Sequence, residues 1–202
     1  LERDSLVQLW GEKLHQVGAR IILKRLQFVE KLNTLTYCLY REISDTAQSA
    51  KLRYESEVLE EGMSLVSEES LLAALEDRQK RMLSREKRLK RSLVGPHLDD
   101  FSFFVDEMNL RCLGSQGEQR TAVLALKLSE WMVLEQEKGV RSIFLLDDIT
   151  SELDEKRRHH LFKALKHKNA QIFVTTTEKE GIRGCFEQAA QYKVENGRVC
   201  NL

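Results

Sequence analysis

Proline occurs once in these 202 residues, at Pro96. Between Gly18 and Ser44 nothing in the chain interrupts a helical period. A stretch with neither proline nor glycine keeps every backbone hydrogen bond of a helix and avoids the entropic cost that glycine brings. Trp10, Leu14, Val17, Ile21, Phe28, Leu35 and Cys38 recur there in alternating steps of four and three, with Lys24 and Lys31 where apolar residues are due. Such a row reads as the seam of a coiled coil or a helical arm over residues 4 to about 43. Pro96 also divides the chain in character. Long charged helices precede it, and short apolar strands alternating with helices follow it.

Before the proline, AKLRYESEV (50–58) switches to period two, with Leu52, Tyr54 and Val58 on one side. That pattern predicts a half-buried strand. Ser67, followed by Glu68 and Glu69, predicts an N-cap and a helix running to about Arg91. After it, FSFFV (101–105) reads as a strand and 117–138 as an amphipathic helix through Val123, Leu124, Leu128, Trp131 and Leu134, closed by Gly139. IFLL (143–146) is the apolar run of a strand buried in a parallel sheet. A helix at about 154–168, a strand at QIFVTT (171–176) and a hairpin around Asn196-Gly197 complete the pattern. The fold class is therefore α/β, a layered sheet with helices on it, preceded by a mainly helical part with a small strand element.

Charged residues make up 32% of the chain, as suits solvated helices, yet the formal net charge is zero. Any nucleic-acid contact must then come from a local patch. One such patch is RQKRMLSREKRLKR (78–91), where Arg85, Arg88 and Arg91 stand among eight cations against Glu86 alone. A solvated helix face and a phosphate-contacting face both fit it. Cys38, Cys112, Cys185 and Cys200 are far apart, which fits reduced thiols in a cytoplasmic protein better than a zinc site or a disulfide frame. No apolar run reaches membrane-spanning length, so no membrane partner is expected. The chain starts at Leu1 inside a charged helix, and the expectation is a fragment whose upstream part is missing.

Four motifs carry chemistry. LGSQGEQRT (113–121) is a glycine-rich entry into a helix, where free N–H groups and the helix dipole favour an anion. None of the ten glycines is followed by lysine, so the loop that normally grips nucleotide phosphates is absent. Asp147 and Asp148 end the IFLL strand, at the sheet edge where ligands bind in open α/β folds. SELD (151–154) follows at a fixed spacing, and FVTTT (173–177) closes the next strand. Each also has a plain reading: loop glycines with Ser115 as a cap, a strand ending in polar residues, Ser151 or Asp154 as an N-cap.

Taken in order, the set GSQGEQRT, IFLLDD, SELD, FVTTT resembles the second half of an ABC-type ATPase head: signature motif, Walker B strand, D-loop and switch strand. GPHLDD (95–100) and the form GSQGEQRT are similar, within that class, to the RecF family of bacterial DNA replication and repair proteins. The resemblance implies a helical arm at 1–92 and a C-terminal ATPase lobe at 93–202. The Walker A loop then lies on an N-terminal lobe, and the signature motif completes a partner's nucleotide site across an ATP-dependent dimer. Ser115, Gln116 and Gly117 would meet the partner's γ-phosphate. Asp147 would hold Mg²⁺ and Asp148 would position water. Ser151 and Asp154 would form the crossing D-loop, and Thr176 would occupy the switch position.

Implied cofactors are ATP and Mg²⁺ in the intact protein, which would be a slow DNA-dependent ATPase. The fragment alone would be inactive. Implied partners are double-stranded or gapped DNA, a second subunit and recombination mediator proteins. Glu118 departs from the usual signature glutamine, threonine replaces the switch histidine, and Leu98 stands where arginine is expected in the family. The rival readings are another SMC-like head, and a helical DNA-binding or interaction module without ATPase activity.

Overall fold

The computed structural model describes residues 2–59, 66–139, 143–148, 153–166, 171–177 and 189–201. Helix α1 (Glu2–Ser44) is the long uninterrupted element that the sequence predicts, about 65 Å at 1.5 Å per residue. Its buried stripe is not the expected seam. His15, Gly18, Ala19, Ile22, Leu32, Thr36, Leu39, Tyr40 and Ile43 are buried, while Trp10 is 70% exposed and Leu14, Val17, Ile21 and Cys38 face solvent. The buried row lies one residue later than the predicted one, which is a rotation of about 100°. At Gly18 the absence of a side chain lets the loop and α2 come close. A Cβ on Gly18 would stand 3.3 Å from Pro96 Cδ and 3.4 Å from Leu75 Cδ1.

Helix α2 (Glu68–Leu89) starts at Ser67, whose hydroxyl accepts the Ser70 N–H while the Ser70 hydroxyl accepts the Ser67 N–H. It ends at Leu89, with Lys90 in the left-handed region at φ 53°. Leu71 and Leu75 pack with Ala19, Ile22, Val58 and Val94 into one apolar cluster. Strand β1 (Ala50–Glu55) pairs antiparallel with β2 (Asp100–Val105), Leu52 opposite Phe103. The strand read before Pro96 thus joins the strand read after it. Strand β3 (Met108–Asn109) adds to β2 through a turn with Asp106 and Glu107 both at positive φ. That turn lacks the glycine or asparagine that advertises a hairpin, so β3 and the short helix α3 (Leu110–Leu113) leave no sequence signal.

Helix α4 (Gln116–Lys138) ends at Gly139, φ 62°, as expected. Thr121, Ala122, Ala125, Leu128, Ser129 and Trp131 are buried on it, and Val123, expected on the apolar face, is exposed. Strand β4 (Ile143–Leu146) lies parallel to β5 (Gln171–Val174), with helix α5 (Glu155–Lys166) between them in sequence. Phe144, Leu146, Ile172 and Val174 belong to the second apolar cluster, with Trp131, Leu161, Phe162, Leu165 and the last turns of α1. The opposite face is bare: Ile143, Leu145 and Phe173 are all more than half exposed. The expectation of a strand covered on both sides holds for one side only. Strands β6 (Tyr192–Glu195) and β7 (Arg198–Asn201) form the predicted hairpin, with Asn196 and Gly197 at positive φ.

The loop 92–99 is tied to both long helices. The Glu86 carboxylate accepts from Leu93 N at 2.6 Å and from the Ser92 hydroxyl at 3.2 Å. Arg25 donates to the Pro96 carbonyl and, at 3.3 Å, to the Tyr54 hydroxyl, which donates to Asp99. Burial first, then the bond to Asp99, pushes the Tyr54 phenol up to about 12 from its ordinary 10.0. A raised pKa favours the neutral phenol in the folded state, so this contribution is complete below pH 10.0 and lost as pH rises through about 12. Phenolate absorbance should show Tyr54 ionising near pH 12, a step missing from Tyr54→Phe. The variant should lose about 1–2 kcal/mol at neutral pH in urea unfolding.

Candidate nucleotide site

The first half of the site is the start of α4. Helix α3 stops at Gly114, where a Cβ would stand 2.7 Å from the Leu110 carbonyl oxygen, so only glycine permits the turn. Gln119 Nε2 staples that turn by donating to the Leu110 and Gly114 carbonyls at 2.8 and 3.1 Å. Ser115 then caps α4. Its hydroxyl accepts the Glu118 N–H at 3.3 Å, and Glu118 Oε2 accepts from Ser115 N at 2.8 Å and Ser115 Oγ at 2.7 Å. This is a reciprocal capping box. The hydroxyl bond first, then the N–H bond, holds the Glu118 carboxyl below its ordinary range, and Arg157 adds to the effect. Ser115 and Gln116 are exposed and Gly117 is half-buried. The departure from glutamine at Glu118 therefore keeps the cap and adds a charge.

Asp154 opens α5. Its Oδ1 accepts from Arg157 N at 2.9 Å and its Oδ2 from Arg157 Nη1 at 3.1 Å. Arg157 leans on the start of α4, with Nη1 2.5 Å from where a Cβ of Gly117 would be. The fold thus brings Ser115, Gly117 and Asp154 to one edge, joined by a residue that the sequence motifs did not single out. Ser151 lies outside the described residues.

The second half is the end of β4. The β4–β5 ladder continues past the strands, with Thr175 N donating to the Leu146 carbonyl at 2.9 Å. The Thr175 hydroxyl donates to Asp147 Oδ1 and accepts the Asp148 N–H at 3.0 Å. Asp148 sits at φ 44°, a left-handed conformation that side chains other than glycine adopt at a cost of about 1–2 kcal/mol. The motif pointed to Thr176, which is half-buried. Its neighbour Thr175 makes the bonds to Asp147 and to Asp148 N. Period-two alternation had the information, since Phe173 and Thr175 share a face with Leu145 and Asp147.

One ring contact links the two halves. The Trp131 and Phe144 rings meet at 5.6 Å and anchor α4 to β4. From that anchor Ser115 lies about 24 Å back along the helix, and Asp147 about 10 Å forward along the strand. Asp147 and Asp148 offer hard oxygen donors at a sheet edge, which fits Mg²⁺, an ion content with one or two carboxylates and several waters. Among the described residues no group of three or more His, Cys, Asp or Glu could form a cage. For a nucleotide, the chain supplies a helix-start anion site and two carboxylates, but no lysine-bearing loop.

No protein-family model matches the chain. It is 38% identical over 197 residues, 97% of its length, to the DNA replication and repair protein RecF of Syntrophotalea carbinolica, and 38% identical over 201 residues to that of Geobacillus kaustophilus. A solved structure of the recombination mediator protein RecF-ATPrS in the RecFOR pathway matches 98% of the chain at 34% identity with a TM-score of 0.79. In sequence and in fold, the chain is RecF-like. An SMC ATPase at 15% identity and TM-score 0.52 shares the fold alone, the α/β lobe of an ABC-type head. The chain spans about half the length of the RecF proteins it matches, 52% and 51% of the first relative and structure.

The remaining candidates are exposed. Arg78 pairs with Glu57 and Arg81 with Asp77, whereas Arg85, Arg88 and Arg91 carry no ion pair among the described residues. Leu98 is exposed on the loop that Glu86, Arg25 and Tyr54 hold. Cys38, Cys112 and Cys200 are free thiols, and Cys185 lies outside the described residues. No described helix is long and apolar enough to cross a membrane.

Thr175→Val keeps the shape of the side chain and removes both bonds at the strand end. It should cost about 1–2 kcal/mol in denaturant unfolding. An unchanged midpoint would mean that the hydroxyl does not hold Asp147 and Asp148 in place.

Proposed function

We propose that this chain is the arm and second lobe of a RecF-like ATPase head, from a bacterial cytoplasmic protein that binds ATP and DNA, dimerises with ATP and helps load a recombinase at gaps. One observation carries the reading. Parallel strands β4 and β5 are covered on one face only, and the bare face holds Ile143, Leu145 and Phe173 just before Asp147. Parallel sheets are normally covered on both faces, and two strands alone are marginal in water. A second lobe on that face would complete the sheet. It would also bring the phosphate-gripping lysine to the strand end where Asp147 and Asp148 wait.

In this reading Asp147 holds Mg²⁺ and Asp148 orients the attacking water, both for the nucleotide of their own chain. Mg²⁺, when bound, neutralises charge on the phosphates. Ser115, with Gln116 and the amide of Gly117, meets the partner's γ-phosphate. Asp154, with Ser151, borders the same crossing, and Thr176 stands at the switch position. Arg85, Arg88 and Arg91, without an ion pair among the described residues, are offered to DNA phosphates, and mediator proteins act with the assembled dimer.

In the full-length protein, Ser115→Arg should abolish ATP-dependent dimerisation while monomer ATP binding stays nearly intact. It places a bulky cation where a small hydroxyl must approach phosphate. Asp148→Asn should let the ATP dimer accumulate while hydrolysis falls. In a mixed dimer both lesions fall on one nucleotide if Ser115 acts in trans, and the other site is intact. Mixtures should therefore hydrolyse ATP faster than either variant. Mixed dimers seen by ultracentrifugation with no recovery of hydrolysis would count against the trans assignment.

Replacing Arg85, Arg88 and Arg91 by Ala should weaken DNA binding across sequences and flatten the salt slope by about 0.9 log units per lost duplex contact. An unchanged slope would return the segment to a solvated helix face.

A further inference from the structure

Arg157 occupies an electrostatically costly place. It lies in the first turn of α5 and its guanidinium leans on the first turn of α4. Both helix starts carry the positive end of a dipole, where cations are disfavoured. Its side chain is only 29% exposed, so water does little to relieve this. The pair with Asp154 is an (i, i+3) contact within one helix, and such pairs contribute a few tenths of a kcal/mol when isolated. Helix stability alone does not explain why a cation sits there.

Two anions face it. Asp154 holds Nη1 at 3.1 Å, and Glu118, engaged by both Ser115 donors, lies close enough for Arg157 to help lower its pKa. On the other side, Nη1 stands 2.5 Å from the place of a Gly117 Cβ, Cζ 3.3 Å and Nη2 3.5 Å. The flat guanidinium therefore covers Gly117, filling the volume that any other residue there would need. It links the first residue of α5's cap to the second residue of α4. A planar fork with five donors can hold a carboxylate and lie flat against backbone at once, which an ammonium cannot do.

We propose that Arg157 is a positioning residue that locks the D-loop aspartate Asp154 to the signature glycine Gly117, so that both reach the partner's nucleotide as one rigid edge. This rests on the trans reading of Ser115 given above. Without the lock, Ser115 and Asp154 sit on two helices that can shift against each other, and a close interface tolerates little misplacement. The lock also places a cation beside a helix start that must receive phosphate. The lone structural alternative, a local helix pair, predicts loss of stability without selective loss of dimerisation.

The test uses the full-length protein and ultracentrifugation at graded ATP. Arg157→Ala should raise the ATP concentration for half-maximal dimerisation by about tenfold, the size of one lost charge-assisted contact. ATP affinity of the monomer should move far less. Arg157→Lys keeps the charge and lacks the fork, and should recover only part of the loss. Gly117→Ala should push the guanidinium off Asp154 and impair dimerisation on its own. Combined with Arg157→Ala, which vacates the space, it should do no further harm. An additive double variant, or an Arg157→Ala that dimerises like the parent, overturns the proposal. Ser115→Arg separates the two levels of the argument. If Ser115→Arg still dimerises with ATP, the trans reading itself fails. If it does not, while Arg157→Ala behaves as the parent, only the lock fails. Should Arg157→Ala unfold, the Gly117→Ala variant and the Lys variant decide the matter by the same readout.

Discussion

Where α1 crosses α4, the Thr36 hydroxyl donates to the Ser129 hydroxyl at 2.9 Å, and both residues are fully buried. Ser129 in turn donates to the Ala125 carbonyl at 2.7 Å, so both buried hydroxyls are paired. Two small side chains that satisfy each other let the helices approach closely, and Lys31 with Glu137 closes the exposed side of the same contact. Farther along α1, Gly18 does the equivalent work against Leu75 and Pro96. One helix thus carries both apolar clusters: its first half packs with α2, its second half with β2, α4 and α5. Because α4 is fixed to α1 at Thr36, the helix start at Ser115 is fixed relative to the arm as well.

Beyond that helix, the parallel pair β4–β5 is covered on one face. Strands β4 and β5 bury Phe144, Leu146, Ile172 and Val174 and leave Ile143, Leu145 and Phe173 to solvent. At the end of the same strands, Thr175 gathers Asp147 and the Asp148 N–H, and Asp148 takes a left-handed conformation. A strained carboxylate beside a bare apolar face is consistent with a surface shaped for contact rather than for water. At the start of α4, Ser115's donors are held by Glu118's carboxylate, an internal anion in the place where the proposed function puts a phosphate.

Local chemistry was legible in the sequence. The cap at Ser67, the cap at Ser115, the stop at Gly139, the strand 143–146 and the Asn196-Gly197 turn follow from residue types acting on their own neighbours, and each stands where those residues put it. The motif order GSQG, LLDD, SELD and VTTT also carried the resemblance that the relatives bear out. What the sequence could not decide was which surfaces meet. The apolar row through Trp10, Leu14, Val17 and Ile21 looked like a seam because its side chains are large, yet the buried row, one residue on, contains Gly18 and Thr36. Close packing selects small or self-satisfying residues, and hydrophobicity counts read those as gaps. Residue types were equally silent elsewhere: Asp106-Glu107 concealed a turn, Thr175 held the Asp147 carboxylate and the Asp148 N–H, and Arg157 lay unnoticed forty residues from the glycine it covers. The sequence by itself determined the elements, their caps and the chemical groups at their ends. Only the tertiary structure decided which groups share an edge, because that depends on how near two backbones can come.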